Sequence, residues 1–161
     1  ALAREAHKRG EGASFDATFN AADETEYSKK FEAPTKVLAL SDGECVGRRG
    51  LWGGRALSLG PTALLDLDGR IKVVVVSNRK QCAEPMFFEM FGLDIATART
   101  AVVKSRGHFR AGFDEFFGPE RVIEVDAPGL TSPVLSRFDF KNLLRPTIPL
   151  DPDAVWNGPK W

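Results

Sequence analysis

Cysteine, histidine and uncompensated charge are all scarce in this chain of 161 residues. Each scarcity removes a class of function. Two cysteines, Cys45 and Cys82, are too few for a disulfide framework, so free thiols in a reducing cytoplasm are the expectation. His7 and His108 complete the thiol and imidazole set, and no CxxC, HExxH or HxH spacing occurs. A zinc site takes three or four ligands from Cys, His and carboxylate, so no complete metal site is expected within the chain. Lys plus Arg and Asp plus Glu are balanced at 22 each, which argues against a broad surface for nucleic acid or anionic membrane. No apolar run approaches the ~20 residues of a membrane helix, and no segment resembles a signal peptide. The GxSxG elbow, the P-loop and the GxGxxG fingerprint are absent as well.

What is present suits one domain. Hydrophobic residues make up 43%, enough for a core at this length. The opening ALAREAHKRG reads as the inside of an amphipathic helix, which suggests a fragment of a longer chain. Residues 2–8 suit the last turns of that helix, with Gly10 as its stop. Residues 13–19 alternate and predict a strand. Two more extended stretches are expected at 27–31 and 36–40, separated by Pro34 and closed by Ser41-Asp42-Gly43. The glycines of 47–54 mark either a flexible loop or a close approach of backbones. A strand over 63–67, the turn Asp68-Gly69 and the apolar run IKVVVVS follow, the last typical of a strand covered on both faces.

The second half changes character. Helices are predicted over 85–91 and 109–117, and buried strands over 100–103 and 121–125. Ser132-Pro133 is set to open a short helix. The proline-rich tail from Arg145 predicts an extended surface segment. The fold class expected is α/β: a mixed β-sheet with an antiparallel N-terminal half and a C-terminal βαβαβ unit. VVVVSNR and AVVKSRG each precede a Phe-rich helix ending in FG. These are either equivalent units or the shared look of any βα pair.

In open α/β sheets, ligands gather outside the C-terminal strand ends. Three such ends are legible: Ser77-Asn78-Arg79, Lys104-Ser105-Arg106-Gly107-His108, and Asp126 through Ser132. Polar groups and helix N-termini there suit an anion or carboxylate, although the same residue types also serve as plain caps and turns. Lys104 follows apolar strand residues, so its stem should be partly buried. A buried lysine can act as a base or nucleophile, but an ion pair with Asp126 on the next strand is the stronger expectation. Lys104 and Ser105 are adjacent on a strand and should face apart.

Beyond those features, VVKSxxHFRxxF, DxPGxTxP and RPxxPLD form an ordered trio, present as AVVKSRGHFRAGF, VDAPGLTSP and LRPTIPLD. AHKRGEGASF, LGPTALLDLDG and VVVVSNRKQ precede them in order. With these motifs the chain resembles the C-terminal domain of the microcystinase C (MlrC) family across nearly its whole length. The resemblance implies a zinc-dependent metallopeptidase or amidohydrolase-like parent; microcystinase C itself acts on linearised microcystin and its tetrapeptide product. It implies that zinc ligands and catalytic acid lie in an N-terminal domain absent here. It also implies a single domain over 1–161 that packs on the catalytic domain and helps form its cleft. The motif residues that would face the cleft are Lys104, Ser105, His108, Arg110, Pro128, Gly129, Thr131 and Ser132. The family's Gly-Gly-Lys turn after the first strand is replaced here by Asn20-Ala21-Ala22-Asp23.

The leading expectation is an accessory domain without catalytic residues or a cofactor of its own, orienting a peptide-like substrate through Arg110 or Lys104. The alternative is a non-catalytic domain that stabilises or dimerises its parent, with Lys104, His108 and Arg110 structural. A self-contained Ser/Lys hydrolase built on Ser105 is the third reading.

Overall fold

Small residues let the first helix lie close on a sheet. The computed structural model describes residues 1–22, 24–127, 132, 134–155 and 158. Helix α1 (Leu2–Arg9) turns Ala3 and Ala6 inward, where both are buried. Glu5 and Arg9, one turn apart, pair on its outer face at 2.9 Å. Gly10 then ends the helix at φ 86°, a conformation open to glycine without strain.

Among the described residues six strands follow: β1 (Ser14–Phe19), β2 (Phe31–Ser41), β3 (Glu44–Val46), β4 (Ala56–Ser58), β5 (Thr62–Leu67) and β6 (Ile71–Val75). Four of them form an antiparallel sheet in the order β1-β2-β5-β6, and β3 and β4 form a separate hairpin. The core lies between α1 and this sheet: Ala6 meets Val37, Ala63, Leu65 and Leu67, with Phe15, Phe19 and Val75 around them. Leu65 and Val37 are wholly buried. At roughly 1.5–3 kcal/mol for each fully buried aliphatic side chain, these positions contribute much of the sheet's stability.

The strand that is covered on both faces is β5, not the valine run after it. Thr62, Ala63, Leu64 and Leu65 are all buried in sequence. The run beginning at Ile71 forms the edge strand β6, with Ile71 60% exposed. Asp68 at φ 56° and Gly69 at φ 68° make the reversal between the two, as the turn signal predicts.

Pro34 does not interrupt the second strand. The Val37 N–H donates to Ala13 O, so odd-numbered residues of β2 turn their N–H toward β1. The N of Pro34 therefore faces the β5 side, where pairing begins only at Thr35 and Leu67. A missing donor is tolerated there, and one eleven-residue strand replaces the two expected stretches.

A second cluster joins Leu57, Leu59 and Phe87 to Cys45, Trp52, Val76, Cys82 and Phe88. It seats two single-turn helices, α2 (Met86–Glu89) and α3 (Arg110–Phe113). Phe88 and Phe113 meet edge to face, with ring centroids 6.3 Å apart. Both free thiols lie in or beside this cluster.

The mixed helix-and-sheet class and the antiparallel first half are as expected. The parallel βαβαβ unit is not formed: among the described residues every strand pair is antiparallel, and 100–103 and 121–125 join no sheet. Helices of four residues are about 6 Å long, whereas a five-residue strand is about 16 Å. Such helices are too short to carry the chain back along a sheet. Two local expectations change as well. Ser132 accepts the Val134 N–H at 3.0 Å, but the helical turn after it is a 3-10 turn at Leu135–Arg137. The tail folds into turns, with Asp151 accepting from Thr147 N and Arg145 Nη1, both at 2.7 Å. No helix among the described residues is long and apolar enough to cross a membrane.

Candidate functional site

The glycine-rich stretch is a close approach of backbones, and that approach positions the polar edge. A Cβ on Gly112 of α3 would stand 2.6 Å from Ala83 O, and one on Gly50 would stand 3.0 Å from Gly112 N. Glycine at these points lets α3 rest on both the 83–85 segment and the 3-10 turn Gly50–Trp52. Glu84 locks the same junction from inside. Its wholly buried carboxylate accepts Arg49 N–H at 2.9 Å and Met86 N–H at 3.3 Å.

A surface lattice of charge reinforces it. Arg48 reaches Glu89 on α2, with Nη2 to Oε1 at 2.8 Å, and also pairs with Glu115 just beyond α3. Arg49 pairs with Asp114 at 2.5 Å. Hydrogen bonding from Arg48 holds the Glu115 carboxyl below the usual range and pushes the Arg48 guanidinium upward. Burial pushes the Cys82 thiol up to about 12 and raises Cys45 as well.

With α3 fixed, the segment before it meets Gln81. The Gln81 amide Nε2 donates to Ser105 Oγ at 2.8 Å, while its oxygen lies 3.2 Å from His108 Nδ1. An oxygen in that position accepts, so the neutral ring carries its proton on Nδ1 and leaves the Nε2 lone pair without a partner among the described residues. Ser105 is half-buried and His108 exposed. Chemically, this is a hydrogen-bonded Ser-Gln-His row that presents an imidazole acceptor outward.

The remaining predicted residues divide. Arg110 opens α3, stacks over Phe109 at 4.9 Å and pairs with Glu124 in an exposed ion pair. Lys104 is exposed rather than partly buried, and it makes no ion pair or hydrogen bond with another described residue. The expected Lys104–Asp126 pair is not formed, because Asp126 pairs with Arg137. Lys104 and Ser105 do differ in exposure, as neighbours facing apart should. Ser132 caps its own turn, and Pro128, Gly129 and Thr131 lie outside the described residues. At the first strand end, Ser77 and Asn78 donate their N–H groups to Leu59 O at 3.2 and 2.8 Å, a structural use.

Gln81 was not singled out by sequence reasoning. Its only signal is its place at the end of VVVVSNRKQ. The charge lattice at Arg48 and Arg49 was equally unforeseen, since residues 41 to 67 positions apart in sequence meet there.

Two surface depressions lie away from this edge, one along β1, β2 and the turn at Asp68, the other beside α1 and β1. Residues that could ligate a metal are dispersed: among the described residues no three His, Cys, Asp or Glu side chains come together as a metal site. His7 contacts Thr62 O at 3.0 Å, His108 faces Gln81, and the thiols pack with apolar groups. The described residues therefore do not fit a resident zinc ion.

Sheet, junction and edge together define a mixed α/β domain with an open, loop-borne polar face. The chain belongs to the MlrC C-terminus family, whose profile matches residues 1–142. Among solved structures, it is similar to a protein from Mesorhizobium sp. BNC1 that carries the provisional description metallopeptidase. The likeness has a TM-score of 0.74 and 27% identity, and covers 96% of this chain. It covers 30% of that protein, so the present chain spans under a third of the matched structure. No curated protein matches the chain by sequence.

Proposed function

We propose that this chain serves as the C-terminal domain of a zinc-dependent peptidase or amidohydrolase, packing on a catalytic domain and helping form its substrate cleft. One observation carries the reading: a member of this family holds a Ser105-Gln81-His108 row that ends in an exposed imidazole beside Arg110, with no metal-ligand cluster among its described residues. Zinc and the activated water belong to the parent's other part. This chain's contribution is orientation. The open Nε2 of His108 accepts a hydrogen bond from a substrate amide. Arg110 exchanges Glu124 for a substrate carboxylate, and Lys104, which pairs with no described residue, adds a positive charge. Pro128, Gly129, Thr131 and Ser132 complete the lining by resemblance. The substrate class is a linear peptide-like amide, and the setting is the cytoplasm.

The test compares the chain with and without its upstream region, measuring zinc content and amide hydrolysis. Zinc and turnover should both require the upstream region. Stoichiometric, tightly bound zinc in the 161-residue chain alone would overturn the proposal.

A second reading makes the domain a stabilising or dimerising element. The exposure of Val102, Ile123 and Val125 favours it, since such residues belong in an interface. Lys104→Ala and His108→Ala in the full protein separate the two. Lost stability with unchanged turnover per folded molecule supports this second reading, and lost turnover at unchanged stability supports the first.

A further inference from the structure

Two segments of this chain have the composition of buried strands and the surroundings of neither strand nor core. Residues 100–105 read TAVVKS and residues 121–126 read RVIEVD. Val102 is 85% exposed, Ile123 87% and Val125 82%. From Ala101 to Ser105 the burial alternates, half-buried then exposed, as the two faces of a strand would. Among the described residues, no backbone N–H or C=O of 99–106 or 123–127 makes a hydrogen bond. Elsewhere in the chain, similar sequence is paired: Val73 to Val75 of β6 form a regular ladder with β5. Valine-rich backbone with open hydrogen-bonding groups on both sides is a template for sheet addition.

We infer that 100–105 and 123–126 are strands that add to a β-sheet in the remainder of the parent protein. The inference rests on the reading of this chain as a C-terminal domain, and it names the mode of attachment. The occupant is argued from length. The matched structure aligns with 96% of this chain, yet only 30% of its own length is accounted for. A parent of that kind leaves most of its length outside this domain, and the inferred sheet edge belongs to that part. Addition of the first segment would set Ser105 and His108 at a strand end facing the partner. The surface that docks the domain would then also deliver its polar row.

The experiment is amide hydrogen exchange on the full-length parent at two protein concentrations. Exchange at 100–105 and 123–126 should be slowed at least about 100-fold from unprotected peptide rates, equally at both concentrations. Val103→Pro, which removes one donor, should release 100–105 while β2 and β5 stay protected. Unprotected exchange in both segments, with 107–110 still shielded, overturns strand addition and leaves the docking reading intact. Unprotected exchange across 100–126 overturns both. Protection that strengthens with concentration assigns the edge to a second copy and likewise overturns the inference.

Discussion

Gly112 lies so close to Ala83 that a Cβ on it would stand 2.6 Å from the Ala83 carbonyl oxygen. That contact sets where α3 rests, and α3 sets where His108 points. Gly112→Ala forces the helix away from fixed backbone rather than from a yielding side chain. The expected cost is about 1–3 kcal/mol, the range for overpacking, read as a lower midpoint in urea denaturation. The full-length protein should lose activity as well, because the row through Gln81 is stretched.

Gln81 holds the His108 ring through its amide oxygen, which makes it a positioning residue under the proposed function. Gln81→Ala should reduce kcat/KM of the parent several-fold, in line with about 1 kcal/mol for one hydrogen bond, with little change in thermal stability. Nitrogen NMR of the His108 ring should show protonation at Nδ1 in the native protein and a tautomer mixture in the variant. An unchanged tautomer in Gln81→Ala would refute the positioning role.

Glu115 supplies a pH dependence with a definite sign. Its folded pKa is depressed, first by hydrogen bonding from Arg48. The stabilisation is therefore fully present above the unfolded carboxyl pKa of about 4.3. It is lost as pH falls through the lower folded value. Thermal midpoints should drop in that acid window, and Arg48→Ala should flatten the drop. The pair is solvent-accessible, so added salt should weaken the effect.

Cys82 should resist thiol reagents at neutral pH. Burial pushes its pKa up to about 12, and the thiolate is the reactive form. Cys45 is raised too and is half-buried. Alkylation by iodoacetamide at pH 8 should be slow for both in the native protein and fast in denaturant. Rapid native labelling of Cys82 would show the second cluster to be open.

Much of the first half was legible because its signals are local. The alternation at 14–19, the Asp68-Gly69 reversal and the glycine stop after α1 each depend on a few neighbouring residues. Pro34 was misread because a proline's effect in a strand depends on which side its nitrogen faces, and that requires the partner strands. The valine run at 71–77 was misplaced for a similar reason. A continuous apolar sequence states that a strand can be buried, whereas its place at the sheet edge follows from pairing order.

Within the candidate site, the motif containing Ser105, His108 and Arg110 was visible in sequence, but its internal connections were not. Gln81 is 24 and 27 residues from its two partners, and a glutamine in a loop carries no local mark of such a role. The Lys104–Asp126 pair rested on two adjacent parallel strands. Without that sheet, Asp126 found Arg137.

By itself, then, the sequence determined the family, the helix-and-sheet composition, the scarcity of metal ligands and the stretch that carries the polar edge. These properties reside in residue identities and short spacings. Tertiary structure alone decided that β5 is the central buried strand, that Gly112 seats α3 on Ala83, and that Gln81 joins Ser105 to His108. It also decided that two strand-like segments stand without a sheet. Each of these depends on which distant surfaces meet, and distance along a chain does not encode contact in space.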